Sequence, residues 1–307
     1  MLKIGVMGLG NITQKAYLPT MASMQDEYEW HLTTRNVEKG NALAAKYGFV
    51  HVHQTLQELL ATHPDAVFVH TPTETHEKIV RTLLNAGVNV YVDKPITTDV
   101  TAVRSLYALA KAKGVLLTVG FNRRFAPNNV TLKEVANKQM IVVEKTRKHT
   151  LQNAEFAVWD LMIHPIDTAL WLLDEPVIAQ QGRLVCDAAG NLLQGYLSLE
   201  GAHSQAMVIT NMDANVNLET VTVQGAKERL VSTDLSQLSA MTTTQVATNH
   251  RPDWEPMLET RGFSELTRAF LKAVKSGGEN PVSEVSAIAS HVACGLLISS
   301  QLNNSNK

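Results

Sequence analysis

Residues 2–13 read LKIGVMGLGNIT. A mostly apolar run, Leu2 to Met7, stops at Gly8 and Gly10, and a stretch that can form a helix follows. A strand that ends in glycines and feeds a helix is the opening of a dinucleotide-binding βα unit. The first glycine makes the tight turn, the second lets backbone approach a pyrophosphate, and the helix N-terminus attracts its charge. The third glycine of G-x-G-x-x-G is missing, with Thr13 in its place. Position carries the reading, because strand and helix alternate from here to about residue 120.

ITQKAYLPTMASM (12–24) reads as the first helix, with Pro19 expected to shorten or kink it. EWHLTTR (29–35) reads as a strand, VEKGNALAAKYG (37–48) as a helix closed by Gly48, and TLQELLATH (55–63) as another helix. DAVFVHTP (65–72) is a strand stopped by Pro72, HEKIVRTLLNAG (76–87) a helix, and VNVYVDKP (88–95) a strand. The helix TAVRSLYALAKAKG (101–114) and the strand VLLTVGFN (115–122) complete the series. Solidly apolar strands separated by helices describe a parallel sheet covered on both faces, a doubly wound Rossmann domain over residues 1–120.

Beyond residue 121 the pattern changes. FAPNNVTLKEVAN (125–137) and WDLMIHPIDTALWLLD (159–174) read as helices. VIAQQGRLVC (177–186), LLQGYLSLE (192–200), HSQAMVITN (203–211), ETVTVQG (219–225) and ERLVST (228–233) are closely spaced strands with turn residues between them. Such spacing predicts an open, mostly antiparallel sheet in a second α/β domain over 121–307. SELTRAFLKAVKSG (264–277) and SEVSAIASHVACGLLISSQL (283–302) close that domain as helices, and the polar tail SSQLNNSNK (299–307) is expected to fray.

The bulk numbers agree with this division. A chain of 307 residues exceeds one small core, and 45% hydrophobic with 18% charged residues is an ordinary globular composition. A net charge of -2 offers no basic stripe for nucleic acid. The apolar runs are short and interrupted, so no membrane span is expected, and the N-terminus lacks a secretory layout. Cys186 and Cys294 lie far apart without a CxxC pair, which suits a reducing, cytoplasmic compartment.

At the end of the second strand, where an acidic residue would hold the ribose hydroxyls of NAD, the chain has Thr34, Arg35 and Asn36. A hydroxyl beside a guanidinium suits a ribose phosphate, so NADP is favoured over NAD. Glu38, the nearest carboxylate, falls on the following helix.

HTPTETH (70–76), YVDKP (91–95) and VGFNRRFAP (119–127) follow in an order that resembles the glucose–fructose oxidoreductase, inositol dehydrogenase and rhizopine catabolism family, Gfo/Idh/MocA. The resemblance runs over essentially the whole chain, including GFSELTRAFLKAV (262–274). It implies a nicotinamide-dependent oxidoreductase. Thr71, Pro72 and His76 match the family's TPxxxH loop and would line the cofactor, as would Gly8, Gly10, Asn11, Ile12, Thr34, Arg35, Asp93 and Asn122. Asp93-Lys94-Pro95 stands where the family has E-K-P, and Lys94 would contact the nicotinamide ribose and the substrate. The substrate-domain signature, Asp, three residues, then His, matches Asp160 and His164, with Asp167 one turn on. The Gly-rich stretch that many relatives carry upstream is replaced here by LQNAEFAVW (151–159).

Moving a hydride from an alcohol carbon requires a base for the hydroxyl proton, and the reverse requires an acid. His164 can serve both ways. Lys94 at a strand's C-terminal edge stands where open α/β sheets bind ligands, and its ammonium can stabilise a developing alkoxide. Asp160 would hold a substrate hydroxyl, and Asp167 would orient His164 or cap structure. Adjacent Arg123 and Arg124 must point different ways, so one of the two is expected at the cleft. These roles describe a sugar- or polyol-like substrate between two domains. Two other classes fit the fold: a silent nucleotide-binding sensor or scaffold, and a reductase of C=N or conjugated double bonds.

The remaining features have structural readings. EKTRKH (144–149) reads as an edge strand with a solvated face, and Trp254 in RPDWEPM (251–257) as loop packing. His51 and His53 read as loop residues without a carboxylate or cysteine at ligand spacing, so no metal is expected. An open antiparallel sheet exposes a face that a homodimer or homotetramer would cover.

Overall fold

The computed structural model describes residues 1–305, with side chains to residue 300. The chain divides into two compact units: Met1–Gly120 with Phe263–Glu284, and Phe121–Gly262 with Val285–Lys307. The expected tail 299–307 enters the helix Glu284–Ser305, and its last two residues lie outside the described residues.

In the first unit β1 (Leu2–Met7), β2 (Tyr28–Thr33), β3 (His51–His53), β4 (Ala66–Val69), β5 (Asn89–Val92) and β6 (Leu117–Val119) form one parallel sheet in the order β3-β2-β1-β4-β5-β6. This is the doubly wound order, with its topological switch between β1 and β4. Ile4, Val6, Val67, Phe68, Val69, Val90, Tyr91 and Val92 are buried to 0%, as both-face coverage requires. Asn36 caps the helix Val37–Tyr47 through Lys39 N at 2.9 Å, and Gly48 ends it at φ +80. Pro19 does not break the first helix. It sits in the opening turn of Leu18–Ala22, behind a wide π-type turn over Thr13–Tyr17, where its missing N–H costs nothing.

Two readings are corrected in this unit. His51 and His53 are not loop residues: they form β3, paired beside His31 and Thr33. The helix Phe263–Ser276, assigned by sequence to a domain 121–307, belongs with the Rossmann sheet. Its apolar stripe explains this: Phe270 stands edge-on to Phe68 at 5.3 Å and to Tyr91 at 5.6 Å, and Ser264 hydrogen-bonds Thr20 at 2.8 Å.

The second unit contains β7 (Lys138–Lys148), β8 (Ala179–Cys186), β9 (Leu192–Glu200), β10 (Gln205–Ala214), β11 (Leu218–Gly225), β12 (Arg229–Thr233), β13 (Gln237–Met241) and β14 (Val246–His250). They form one sheet in the order β14-β13-β12-β11-β7-β10-β9-β8, antiparallel throughout except for the β7–β10 pair. The edge-strand reading of 144–149 is therefore wrong for most of its length, because β7 lies in the middle of the sheet. The helix Ile163–Leu173 packs on β7 and β10. Leu184, Leu197, Leu199, Ala206 and Val208 point into that core. On the opposite phase Val185, Tyr196 and Ile209 are exposed. Ala154–Leu173 is long and apolar enough to cross a membrane, but 72% of it is buried inside the protein, as befits a core helix.

Candidate active site

The turn after β1 has the stereochemistry that a nucleotide cradle needs. Gly8 takes φ +93, and a Cβ there would meet the His70 backbone at 2.9 Å. Gly10 faces open space, with nothing within 4 Å of the position its Cβ would occupy, so backbone can approach a phosphate there. Thr13, in place of the third glycine, is fully buried and donates its hydroxyl to Gly8 O at 2.8 Å, stitching the turn to the helix. Asn11 and Ile12 are exposed in the first helical turn. At the end of β2, Thr34 is half-buried and Arg35 is exposed with no carboxylate partner among the described residues, while Glu38 lies in the helix as expected. Gly8, Gly10, Thr34 and Arg35 are the residues that would hold a nucleotide here.

The carboxyl edges of β4 and β5 meet in a buried polar cluster. Asp93 accepts from His70 Nδ1 at 2.8 Å and from the Tyr17 hydroxyl at 2.7 Å. Tyr17 also lies 3.0 Å from the Tyr91 hydroxyl, and its ring stacks on His70 at 4.0 Å. Burial pushes the Asp93 carboxyl up, but His70 and Tyr17 outweigh this and hold it below its ordinary value. His70 Nε2 is buried without a hydrogen-bond partner among the described residues. Asp93 is thereby tied at the strand end that carries Lys94. His76 is 1% exposed, with Nδ1 2.9 Å from Pro95 O and Nε2 2.7 Å from Thr71 O. The ring thus lies between the TPxxxH loop and the Asp93-Lys94-Pro95 loop, and the nitrogen that carries the proton donates to the carbonyl beside it. Thr71 and Pro72 flank it, with the Thr71 hydroxyl bonded by Thr75 at 2.7 Å.

In the second unit, every residue from Ala157 to Ala169 is buried except Asp160 and His164. The pair falls where the π-type turn Val158–Met162 passes into the helix Ile163–Leu173. Arg123 NH1 lies 3.1 Å from His164 Nδ1. It also lies 3.4 Å from His164 Nε2, so the guanidinium can donate to either ring nitrogen. Asp167 does not orient His164. It is 1% exposed and pairs bidentately with Arg124 at 3.0 and 2.6 Å, while Ser290 Oγ donates to it at 2.7 Å. Adjacent Arg123 and Arg124 do point apart, and both are buried. Asn122, expected at the cofactor, is 1% exposed and fully used: its Nδ2 donates to Arg261 O at 2.8 Å, and its Oδ1 accepts from Arg123 at 3.2 Å.

Sequence reasoning missed the charged floor behind His164. Arg123 donates to both Glu219 oxygens at 2.9 and 3.1 Å, and Lys145 bonds the same carboxylate. Lys145 and Glu219 face each other across β7 and β11. Burial pushes the Lys145 ammonium down to about 7, with Arg123 adding to the effect, whereas Arg123 and Lys145 overcome the burial of Glu219 and hold its carboxyl far below the usual range. The missed signal was strand phase. Lys145 follows Ile141 and Val143 on the inward side of β7, and Glu219 precedes Val221 and Val223 on the inward side of β11. A cavity of about 500 Å³ opens beside these two, lined also by Arg147, Arg251, Glu255 and Arg261. Arg251 pairs bidentately with Glu255, whereas Arg147 and Arg261 have no carboxylate partner among the described residues. Trp254, next to that wall, is 96% exposed, so the loop packing expected of it is absent.

Residues 2–121 match the model of the oxidoreductase family with an NAD-binding Rossmann fold, GFO_IDH_MocA, and residues 127–244 match a YceM-like C-terminal domain. YceM of Salmonella typhimurium, whose name classes it as an oxidoreductase, is 30% identical over 90% of this chain and 90% of its own. An inositol 2-dehydrogenase of Saccharopolyspora erythraea is 26% identical over 80% of this chain and 77% of its own. The crystal structure of a dehydrogenase, MviM, from Clostridium difficile superimposes with a TM-score of 0.92 at 29% identity, over 97% of this chain and 99% of the other. With its glycine turn, its Asp93-Lys94-Pro95 strand end and these relatives, the chain belongs to the Gfo/Idh/MocA family of NAD-binding oxidoreductases.

Proposed function

We propose that this oxidoreductase moves a hydride between NADP, or NAD, and a hydroxyl or carbonyl carbon of a sugar- or polyol-like small molecule. The observation that carries the reading is Asp93, locked by His70 and Tyr17 so that Lys94 leaves β5 from a fixed strand end. When bound, the nicotinamide supplies the hydride acceptor or donor. Lys94 steadies the substrate oxygen as its charge develops, His164 moves the hydroxyl proton at a ring nitrogen, and Asp160 holds a neighbouring hydroxyl. Arg123 acts through His164 by positioning its ring.

Arg147 and Arg261 on the cavity wall favour a substrate with an acidic substituent, since a carboxylate would supply the partner that neither has. Thr34 and Arg35 favour the 2′-phosphate of NADP. The exposed Val185, Tyr196 and Ile209 make the sheet face the natural surface for a homodimer or homotetramer, and the absence of a disulfide between Cys186 and Cys294 suits the cytoplasm.

The test is turnover on a panel of polyols, sugars and sugar acids with each cofactor, read at the absorbance of the reduced nicotinamide. Turnover with sugar acids above the neutral members is expected, and no turnover on any member overturns the reading. Thr34→Asp with Arg35→Ala should shift the cofactor preference toward NAD; an unchanged ratio defeats the NADP assignment.

A further inference from the structure

Two residues before the end of β2, whose Thr33 carbonyl accepts from Gly8 N at 3.0 Å, the β2–β3 edge gathers four metal-competent side chains. Parallel pairing puts His31 directly beside His51, and Glu29 and His31 project from the same side of β2. Glu29 Oε1 lies 2.8 Å from His31 Nε2 and 3.7 Å from His51 Nε2. Ligand atoms from all three residues fall within 4.8 Å of one another. The reason for expecting no metal here, a missing carboxylate, therefore fails: Glu29 stands 22 residues before His51 in sequence and arrives by strand pairing.

We propose that Glu29, His31 and His51 bind a divalent transition metal of the zinc class. Two imidazoles and a carboxylate are a donor set suited to zinc, cobalt or nickel, and they leave a fourth position for water. Metal–ligand bonds of roughly 2.0–2.2 Å place tetrahedral donors about 3.3–3.6 Å apart. The two distances at Glu29 bracket that spacing, and its half-exposed side chain can turn to meet it.

The surroundings are also those of a ligand site. His31, buried to 3%, forms the floor, while Glu29 and His51 stand at the rim and give an ion a route from solvent. On the far side of its ring, His31 Nδ1 lies 2.9 Å from His53 Nε2. A ligating histidine is characteristically held through its other nitrogen in this way, which fixes its tautomer and aim. His51 and His53 both stack nearly parallel to His31, at 4.5 and 5.1 Å. Lys3, the nearest cation, is directed at Thr62 O at 3.2 Å and does not occupy the carboxylate. The metal would tie a three-residue edge strand to its neighbour, so its role is structural and separate from hydride transfer.

The experiment uses the tag-free, full-length chain after chelator treatment, titrated calorimetrically with zinc chloride, and with cobalt chloride followed by visible absorption. One equivalent of each metal should bind, cobalt should give the intense bands of a tetrahedral site, and zinc should raise the melting temperature. His51→Gln, at a rim residue, and Glu29→Gln should each weaken binding at least tenfold and remove the melting shift, with the metal-free circular dichroism unchanged. His53→Asn should weaken binding by a smaller factor. Absence of a one-equivalent isotherm in the parent chain, or equal affinity in the His51→Gln and Glu29→Gln variants, overturns the proposal.

Discussion

Both units bury a carboxylate, and they hold it in opposite ways. Asp93 ends a parallel strand and is held by an imidazole and a phenol, whereas Glu219 sits mid-sheet between a guanidinium and an ammonium. Hydrogen-bond donors around Asp93 fix a direction, that of the strand end and the Lys94 beyond it. Cations around Glu219 balance charge and give the cavity a stiff ionic floor. Removing one member of such a pairing leaves a buried charge uncompensated, and the penalty grows with the formal charge of what remains.

The largest effect should therefore come from Glu219→Gln, which leaves Arg123 and Lys145 buried together. A loss of about 3–5 kcal/mol in urea unfolding is expected. Adding Lys145→Met to that variant should recover part of the loss, and strict additivity would break the argument that the three act as one. Next, Lys94→Ala should lower kcat by roughly 10²–10³-fold while leaving the nucleotide dissociation constant nearly unchanged. A comparable loss of nucleotide affinity would make Lys94 a cofactor ligand only.

Asp93→Asn should cost about 1–3 kcal/mol of stability, because one of its two donors loses an acceptor. It should also reduce kcat more than it raises KM, which sets positioning of Lys94 apart from simple weakening of the fold. A pH slope is expected as well. The Lys145 ammonium titrates near 7 when folded, below its ordinary 10.5, so between those values the unfolded chain holds a proton that the folded one lacks. Stability should then rise with pH across that window by at most about 1.4 kcal/mol per pH unit, and below about 7 the penalty is complete. Lys145→Met should flatten this slope in denaturation curves at pH 7 and 9, and an unaltered slope would place the titration elsewhere.

The sequence by itself determined the parallel sheet and its glycine turn, because apolar runs, turn glycines and helix caps act over a few residues. The family resemblance also pointed to Asp160 and His164, which their four-residue spacing puts on one helix face. Only the tertiary structure decided what depends on strand pairing and packing. Strand order put Lys145 against Glu219 and His31 beside His51, residues too distant in sequence for any spacing rule to join. Packing assigned the helix Phe263–Ser276 to the first unit through Phe270 and buried His76 and Asn122 among backbone carbonyl partners. A motif records which residue types are present. Which atoms those side chains reach is set by partners that the chain brings in from elsewhere.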